Sequence, residues 1–211
     1  MRVLNLYAGI GGNRKLWANC EVTAVEYNES VANVYRHYFP NDNVVVGDAH
    51  EYLLAHYKEF DFIWTSRPCI THSRANFWAS KTADNRKKYY PDMTLYQEII
   101  FLDNWFEGDW VAENVVPYYP PLIQPDVKLG RHLFWSNFKI DPIKVEDANI
   151  PMGKCEDWSY FSGFDLSQFK LDVRKDQVYR NCVNPETGLH IFNCMKNKNY
   201  QPVQKMLFEG L

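Results

Sequence analysis

Cys69 and Glu113 are the two side chains whose type and position best suit covalent chemistry. Cys69 follows Pro68 shortly after an apolar run that ends at Thr65. A nearby cation such as Arg67 would lower the pKa of the thiol and favour the reactive thiolate. Glu113 lies near the end of another apolar run, where a carboxyl group could protonate or hydrogen-bond a substrate ring. Taken singly, an inert loop cysteine and a solvated glutamate are the simpler explanations.

A second group of residues could hold a nucleoside. A glycine-rich turn, residues 7–12, follows the first predicted strand, and glycines let a backbone turn sharply and approach a ligand closely. Glu26 ends the second predicted strand, where an acid can bind ribose hydroxyls. Asp48 ends the third, where it could accept a hydrogen bond from an adenine amino group. Each feature alone fits a plain turn or a solvated loop, but together they predict a nucleoside pocket.

Apolar runs alternate with amphipathic stretches along the first 140 residues, which predicts an α/β fold. Strands are predicted at 3–7, 22–26, 44–46, 62–65, 110–115 and 133–140. Helices are predicted at 14–18, 28–38, 50–57, 95–106 and, after a turn at 184–186, to about 195. No regular structure is predicted for 73–92. Because the strands are continuously apolar and separated by helices, we expect a mostly parallel, doubly wound sheet with ligands at the carboxyl ends of its strands.

The composition is that of an ordinary globular protein. Hydrophobic residues make up 46% of the 211 residues and charged residues 23%, which argues against a disordered chain. No apolar run approaches the roughly 20 residues that span a bilayer, and the layout of a signal peptide is missing, so we expect a soluble, cytoplasmic protein. The net charge of −3 means that any nucleic-acid contact must use a local basic face. The five cysteines include no C-x-x-C pair, so we expect free thiols and no metal site.

Seven segments of the chain resemble, in the same order, the motifs of the DNA (cytosine-5)-methyltransferases. They are Leu4–Gly12, Glu26–Tyr27, Gly47–Asp48, Pro68–Cys69, Glu113–Val115, Gly130–Phe134 and Arg180–Pro185. Each motif alone is weak, but seven in order are specific. The resemblance implies the Rossmann-like α/β fold of S-adenosylmethionine-dependent methyltransferases, with S-adenosyl-L-methionine as cofactor and S-adenosyl-L-homocysteine as product.

The resemblance also implies a role for each matching residue. Cys69 would add to carbon 6 of a cytosine flipped out of double-stranded DNA, Glu113 would hydrogen-bond the ring, and Arg131 would orient it. The cofactor would be bound by Tyr7, Ala8, Gly9, Gly11, Gly12, Glu26, Tyr27, Asp48 and Asn181. The substrate would be bound by Pro68, Ser73, Arg74 and Asn114. Such methylation would serve restriction–modification or the protection of viral DNA.

The chain departs from the family pattern at several motif positions. Asn5 replaces an Asp on the first strand, and Ser66 with Arg67 replaces Gly-Pro or Gly-Phe before the Pro-Cys pair. The other departures are Ile70 for Gln, His72 for Phe, Leu129 for the first arginine of an Arg-x-Arg pair, and Arg180 for Gly. None of them removes the predicted nucleophile or acid.

The largest departure is the shortness of the interval 141–176, where family members carry a target-recognition domain. We expect a catalytic domain formed by 1–140 and 177–211, with 141–176 as a short irregular insertion. Sequence specificity is then low, or the insertion reads the DNA, or a protein partner supplies the recognition.

The polar stretch after the nucleophile, 73–92, is locally basic. Its cations are Arg74, Lys81, Arg86, Lys87 and Lys88. We expect a mobile loop that contacts phosphates and closes over the flipped base, with a solvated surface loop as the alternative.

Three functions remain open on the sequence. A DNA cytosine-5 methyltransferase is favoured by the intact Pro-Cys and Glu-Asn-Val motifs. A cytosine-5 methyltransferase of transfer RNA would share the same architecture. A catalytically weak cofactor- or DNA-binding decoy or subunit is favoured by the short interval 141–176 and the near-neutral charge.

Overall fold

The computed structural model describes residues 1–82, 87–88, 90–145, 159 and 162–197. The strands are β1 (Arg2–Leu6), β2 (Glu21–Glu26), β3 (Asn43–Val46), β4 (Phe62–Thr65), β5 (Asp109–Val115), β6 (Val127–Leu129) and β7 (His132–Ser136). The helices are α1 (Glu29–Tyr38), α2 (Ala49–His56), α3 (Arg74–Thr82), α4 (Thr94–Trp105), α5 (Lys175–Arg180) and α6 (Pro185–Lys196). Short 3₁₀ turns lie at Tyr57–Glu59 and Cys69–Thr71.

The strands form one sheet with the order β3-β2-β1-β4-β5-β7-β6. The sheet is parallel from β3 to β5, and β7 and β6 add an antiparallel hairpin at one edge. The predicted mostly parallel α/β fold is confirmed, whereas the hairpin was not predicted, because an apolar pattern identifies a strand and not its direction. The five parallel strands bring their carboxyl ends to one edge of the sheet.

Both faces of the sheet are covered, as continuously apolar strands require. One face packs on α2 and α4 through a cluster that includes Leu4, Leu6, Leu53, Ile63 and Leu102. The other face packs on α6 through Val3, Trp17, Phe62, Trp64 and Phe192. Much of the aromatic content therefore lies in the core. None of the helices in the described ranges is long and apolar enough to cross a membrane.

The helix predicted at 14–18 is wrong, since the chain forms turns there. The segment lies between two residues with left-handed backbone, Gly11 (φ 84°) and Asn19 (φ 58°). Trp17 reaches the core, where its ring stacks on Phe192 with 4.9 Å between the centroids. This tertiary contact overrides the weak helix preference of the segment.

The irregular structure predicted for 73–92 is wrong for residues 74–82, which form α3. The ring of Phe77 in this helix stacks on Tyr118 with 4.1 Å between the centroids. The stabilising partner comes from a distant segment, so the local pattern could not show it. Arg86, one of the predicted loop cations, lies outside the described residues.

The described part of the predicted insertion packs against the main body of the protein. Phe164 and Leu166 join Val34 of α1 in one buried cluster. Helix α5 runs across the predicted boundary at residue 176. Residues 146–158 lie outside the described part of the chain, so the division into a catalytic domain and an insertion stays a prediction.

Candidate active site

A cleft lies at the carboxyl edge of the parallel strands. Its larger cavity, of about 430 Å³, is lined by residues from four strand ends: Glu26, Asp48, Cys69 and Glu113. A smaller cavity, of about 200 Å³, is lined by the glycine turn and Asn181. Glu26 and Asn181 line both cavities, so the two adjoin. The structure therefore brings the predicted nucleophile and acid together with the predicted nucleoside contacts.

Cys69 begins the 3₁₀ turn that follows β4 and is partly buried. Burial raises the pKa of its thiol above the usual value. The negative charge of Glu113 raises this pKa further, and the positive charge of Arg131 lowers it. The neutral thiol is therefore the resting form of this side chain at neutral pH.

Arg67 does not activate Cys69, contrary to the prediction. The Arg67 guanidinium donates to Glu98 and to Asp92, each at 2.9 Å. Two carboxylates therefore engage this cation. The cation whose charge lowers the pKa of the Cys69 thiol is Arg131 instead.

Glu113 lies on β5 and is only 6% exposed. Burial raises the pKa of its carboxyl group to about 7, and a hydrogen bond with Ser66 and the charge of Arg131 oppose that rise. A carboxyl group with this pKa is partly protonated at neutral pH and can donate a hydrogen bond. Ser66, which lines both cavities, was noted in the sequence only as a departure from the family pattern.

His132 is a site residue that the sequence reasoning did not single out. Its Nε2 lies 3.6 Å from Oε1 of Glu113, across the antiparallel pair of β5 and β7. Burial lowers the pKa of the imidazole to about 3, so the ring is neutral and the contact is not an ion pair. Its position next to Arg131 was the available signal, but only the antiparallel register brings it to Glu113.

Arg131 is exposed, and its Nη2 donates to the Arg180 carbonyl oxygen at 2.5 Å. Its positive charge lowers the pKa of both Cys69 and Glu113. The structure thus supplies a cation to the predicted nucleophile and acid. The predicted role of Arg131 in orienting a base stays a prediction.

The backbone near Gly9 leaves room for a ligand. A Cβ added to Gly9, whose φ is 54°, would meet nothing within 4 Å. Glu26 accepts from the Gly9 amide through Oε2 and from the Asn28 amide through Oε1, each at 2.9 Å. Each oxygen keeps a lone pair for a ribose hydroxyl. With the exposed ring of Tyr27 beside the larger cavity, these residues fit a nucleoside cofactor.

The remaining residues of the turn shape its packing. A Cβ on Gly11 would lie 2.4 Å from the Phe39 ring, and one on Gly12 would lie 2.2 Å from Cys182 Sγ. Ala8 and Gly12 line the smaller cavity, whereas Gly11 lines neither. Direct cofactor contacts of these residues stay predictions.

Asp48 begins α2 as its N-cap. Its Oδ1 accepts from the backbone amides of His50 and Glu51, at 2.8 and 3.0 Å. Both bonds go to one oxygen, and the residue also lines the larger cavity. Asn181 lines both cavities, and its Oδ1 accepts from Gln177 Nε2 at 2.7 Å. Their contacts with a cofactor stay predictions.

The residues predicted to bind substrate are placed differently from one another. Pro68 lines the larger cavity. Arg74 donates to the Pro117 carbonyl oxygen at 2.9 Å, and Ser73 forms an isolated bridge with the same residue. Asn114 is buried and donates to the carbonyl oxygen of the residue before Pro68, at 3.0 Å. The segment after β4 is therefore held in place by Ser73, Arg74 and Asn114. Contacts of these residues with a substrate stay predictions.

Glu98 on α4 is a second residue near the site that the sequence patterns did not single out. It is fully buried and accepts hydrogen bonds from Tyr7, Thr65 and Arg67, and its Oε1 lies 3.0 Å from Nδ1 of His50. The helical spacing that predicted α4 already placed position 98 on the buried face, with Leu95, Ile99 and Leu102. A charged residue on such a face requires partners, which was the available signal.

Solved structures of several methyltransferases are similar to this chain. One, from Entamoeba histolytica, is 15% identical over 55% of this chain and 38% of its own, with a TM-score of 0.36. A SAM-dependent methyltransferase from Agrobacterium tumefaciens is 14% identical over 56% and 40%, with a TM-score of 0.41. An RNA methyltransferase from Salinibacter ruber, solved with S-adenosyl-L-homocysteine, is 11% identical over 70% and 86%, with a TM-score of 0.38. The first two matches span well under two thirds of those proteins.

No curated protein sequence matches this chain. The family model described as C-5 cytosine-specific DNA methylase matches residues 1–107, more than half of the chain. The matched part contains the glycine turn, Glu26, Asp48 and Cys69. The chain therefore belongs to the C-5 cytosine-specific DNA methylase family.

Proposed function

We propose that this protein methylates carbon 5 of cytosine in DNA through a covalent adduct with Cys69. The observation that carries the proposal is that Cys69 and Glu113 line one cavity with Glu26 and Asp48. A thiol, an acid and the two carboxylates predicted to bind a nucleoside therefore meet in one place, although they are far apart in the sequence.

Cys69 would act as the nucleophile. Carbon 5 of cytosine reacts poorly as a nucleophile, and addition of a thiolate to carbon 6 gives it enamine character. Burial raises the pKa of the thiol, so the reactive thiolate is the minor form and the Arg131 charge increases its share. When carbon 5 has taken the methyl group, with S-adenosylhomocysteine as the leaving group, and has given its proton to water, the bond between Cys69 sulfur and carbon 6 breaks and returns the thiolate.

Glu113 would act as the acid toward the ring. Thiolate addition to carbon 6 places negative charge on the ring, and a proton donor at nitrogen 3 stabilises it. With a pKa of about 7, the Glu113 carboxyl group holds its proton in a large share of molecules at neutral pH. The neutral His132 beside it adds no charge that would force Glu113 to ionise.

The cofactor would be held by residues at the carboxyl ends of β1, β2 and β3. Glu26 would accept hydrogen bonds from the ribose hydroxyls, and the Tyr27 ring and Asp48 would contact the adenine. The open space at Gly9 would let the ligand approach the backbone closely. When bound there, S-adenosylmethionine supplies an electrophilic methyl group.

DNA would approach α3, which follows the Cys69 turn. The helix carries Arg74 and Lys81 and no acidic residue. Asn76 Nδ2 on this helix donates to the Ile70 carbonyl oxygen at 3.0 Å, which ties the helix to the turn. A cytosine must leave the duplex to reach Cys69, at a cost of a few kcal/mol that phosphate contacts can offset.

The test is covalent trapping with a duplex that contains 5-fluorocytosine, in the presence of S-adenosylmethionine. Fluorine cannot leave as a cation, so the Cys69 adduct should accumulate and survive denaturing electrophoresis. Cys69→Ser should abolish the adduct. Cys194→Ser is the matched control, since Cys194 is partly buried on α6 and lines neither cavity, and it should retain the adduct.

The other outcomes separate the alternatives. An adduct with transfer RNA and none with DNA would replace the DNA assignment with an RNA one. Calorimetric binding of S-adenosylhomocysteine with no adduct on either nucleic acid would instead indicate a binding protein without turnover.

A further inference from the structure

The buried Glu98 and the partly buried Arg67 form an ion pair that the mechanism above does not use. Glu98 is 0% exposed and lies among the apolar residues of α4. Its Oε1 lies 2.9 Å from Nη1 of Arg67. Burial of a carboxylate costs free energy that its ion pair does not always recover, and an apolar side chain often serves a fold as well. The pair therefore calls for an explanation beyond stability.

On the nucleophile side, the pair fastens both ends of the Cys69 turn. Arg67 is two residues before Cys69, and its guanidinium also donates to Asp92 at 2.9 Å. The Asp92 backbone amide donates to Thr71 Oγ1 at 3.0 Å, at the far end of the 3₁₀ turn. The turn that carries the thiol is thus held before and after Cys69 by one connected set of contacts.

On the cofactor side, the same carboxylate holds the residue that starts the glycine turn. Tyr7 has a φ of 55°, a conformation that costs free energy for a residue other than glycine. Its hydroxyl donates to Glu98 at 2.6 Å, and its ring lies 5.3 Å below the Arg67 guanidinium. Burial raises the pKa of Tyr7, so its hydroxyl stays a donor.

Two further contacts tie the carboxylate to the ends of neighbouring elements. Thr65, the last residue of β4, donates to Oε2 of Glu98 at 2.9 Å. His50, in the first turn of α2 after the Asp48 cap, lies 3.0 Å from Oε1 through its Nδ1. Glu98 on α4 therefore joins the ends of β1 and β4 and the first turn of α2.

We propose that Glu98 is a positioning residue, whose carboxylate holds Tyr7 and Arg67 together and so fixes Cys69 relative to the cofactor-binding turn. Glu98 lines neither cavity and acts only through these neighbours. The proposal rests on the proposed function of Cys69 as nucleophile. A displacement of a reacting group by about 1 Å can cost on the order of 10²-fold in rate. The gain in rate from holding Cys69 in place can therefore outweigh the free-energy cost of burying the Glu98 carboxylate.

The experiment compares Glu98→Gln, which keeps the shape and removes the charge, with Asp103→Asn on the exposed side of the same helix. Folding of each variant is first verified by circular dichroism at the assay temperature. Two rates are then measured: adduct formation at saturating 5-fluorocytosine duplex and cofactor, and alkylation of Cys69 by iodoacetamide without DNA, followed by mass spectrometry.

Glu98→Gln should slow adduct formation on the order of 10²-fold at unchanged duplex affinity. It should also speed alkylation of Cys69 about tenfold, because the released turn opens more often. Asp103→Asn should change neither rate. Arg67→Ala should match Glu98→Gln, and the double variant should lose no more than either single one, since both remove the same clamp.

The proposal would be overturned if folded Glu98→Gln formed the adduct and underwent alkylation at rates within twofold of the original protein. It would also be overturned if the losses of the two single variants multiplied in the double variant. If Glu98→Gln does not fold, Thr65→Val removes one donor to the carboxylate and keeps the shape. It should slow the adduct about tenfold, as expected for a hydrogen bond to a charged group, and an unchanged rate would again overturn the proposal. If the original protein forms no adduct, the proposed function fails, while the alkylation rates still decide the role of Glu98.

Discussion

The two halves of the cleft differ in what holds their acidic side chains. In the half proposed to bind the cofactor, called the cofactor half, Glu26 and Asp48 accept backbone hydrogen bonds that also build a turn and a helix. In the half proposed to carry out the chemistry, called the catalytic half, burial raises the pKa values of Cys69 and Glu113, so their charged forms are disfavoured by the fold. The first half is therefore part of the architecture, and the second holds a thiol and a carboxyl group whose neutral forms are favoured until a substrate is bound. Substitutions in the first half should therefore lower stability, whereas substitutions in the second half should lower turnover without lowering stability.

Glu113→Gln gives the largest expected effect. The amide keeps the shape of the carboxyl group but cannot deliver a proton to the ring, so kcat should fall by about 10²–10⁴-fold. The affinity for S-adenosylhomocysteine should stay within about twofold, because the proposed cofactor contacts lie in the other half. Steady-state methylation and calorimetry measure the two quantities. A comparable loss of cofactor affinity would erase the distinction between the halves.

Gly12→Ala should damage the cofactor half through packing. The added Cβ would lie 2.2 Å from Cys182 Sγ and 2.3 Å from the Val183 carbonyl oxygen, and the backbone atom cannot move away easily. We expect a loss of about 3 kcal/mol in the free energy of unfolding, measured by urea denaturation. Gly47→Ala is the control, since its Cβ would meet nothing within 4 Å, and it should cost less than about 0.5 kcal/mol.

The same Glu113→Gln substitution should stabilise the protein at alkaline pH. Because the folded-state pKa of Glu113 is raised from 4.5 to about 7, the folded state binds its proton more tightly than the unfolded state does. Stability therefore falls as pH rises from about 4.5 to 7 and is then level with respect to this group. Above pH 7 the variant should be more stable by up to about 3 kcal/mol, and at pH 4 the two proteins should be alike. Urea titrations at pH 4, 6 and 8 test the sign.

Much of the cleft could be predicted because its residues follow strands. Continuous apolar runs predicted a parallel sheet, and a parallel sheet brings Glu26, Asp48 and Cys69 to one edge whatever the details of packing. The partners of Arg67 could not be predicted in this way. They depend on which face α4 turns to the sheet and on a register that joins residues far apart in sequence.

The hairpin of β6 and β7 shows the same limit. The apolar pattern at 133–140 predicted a strand, but the strand ends at Ser136 and runs antiparallel to β5. The direction of this strand brings His132 to Glu113. It is set by the pairing of the strand with β5 in the folded protein and cannot be predicted from the apolar pattern. The sequence thus identified the strand-end residues of the site better than the contacts that tune them.

Glu26→Gln should weaken the cofactor half by a moderate amount. Glu26 accepts hydrogen bonds from two backbone amides, one through each carboxylate oxygen. In the variant one of these amides would meet the side-chain NH₂ group of Gln, which cannot accept, and the lost bond should cost about 1–2 kcal/mol of stability. The affinity for S-adenosylhomocysteine should fall about tenfold, equivalent to about 1.4 kcal/mol, while kcat at saturating cofactor stays near its original value. Glu21→Gln at the exposed start of β2 should change none of these quantities. A large fall in kcat would show that Glu26 also serves the chemistry.

The smallest effect should come from Asp48→Asn, which tests whether one carboxylate serves the fold and the ligand separately. Asn caps helices as well as Asp, and Oδ1 alone accepts both cap bonds, so stability should stay within about 0.5 kcal/mol. Asp48→Ala removes the cap and should cost about 1 kcal/mol. If Oδ2 accepts from the adenine amino group, both variants should lose cofactor affinity by a similar few-fold factor in spite of their different stabilities. Equal affinity of Asp48→Asn and the original protein would assign Asp48 to the helix alone, and the cofactor half would then depend on Glu26 and the open backbone at Gly9.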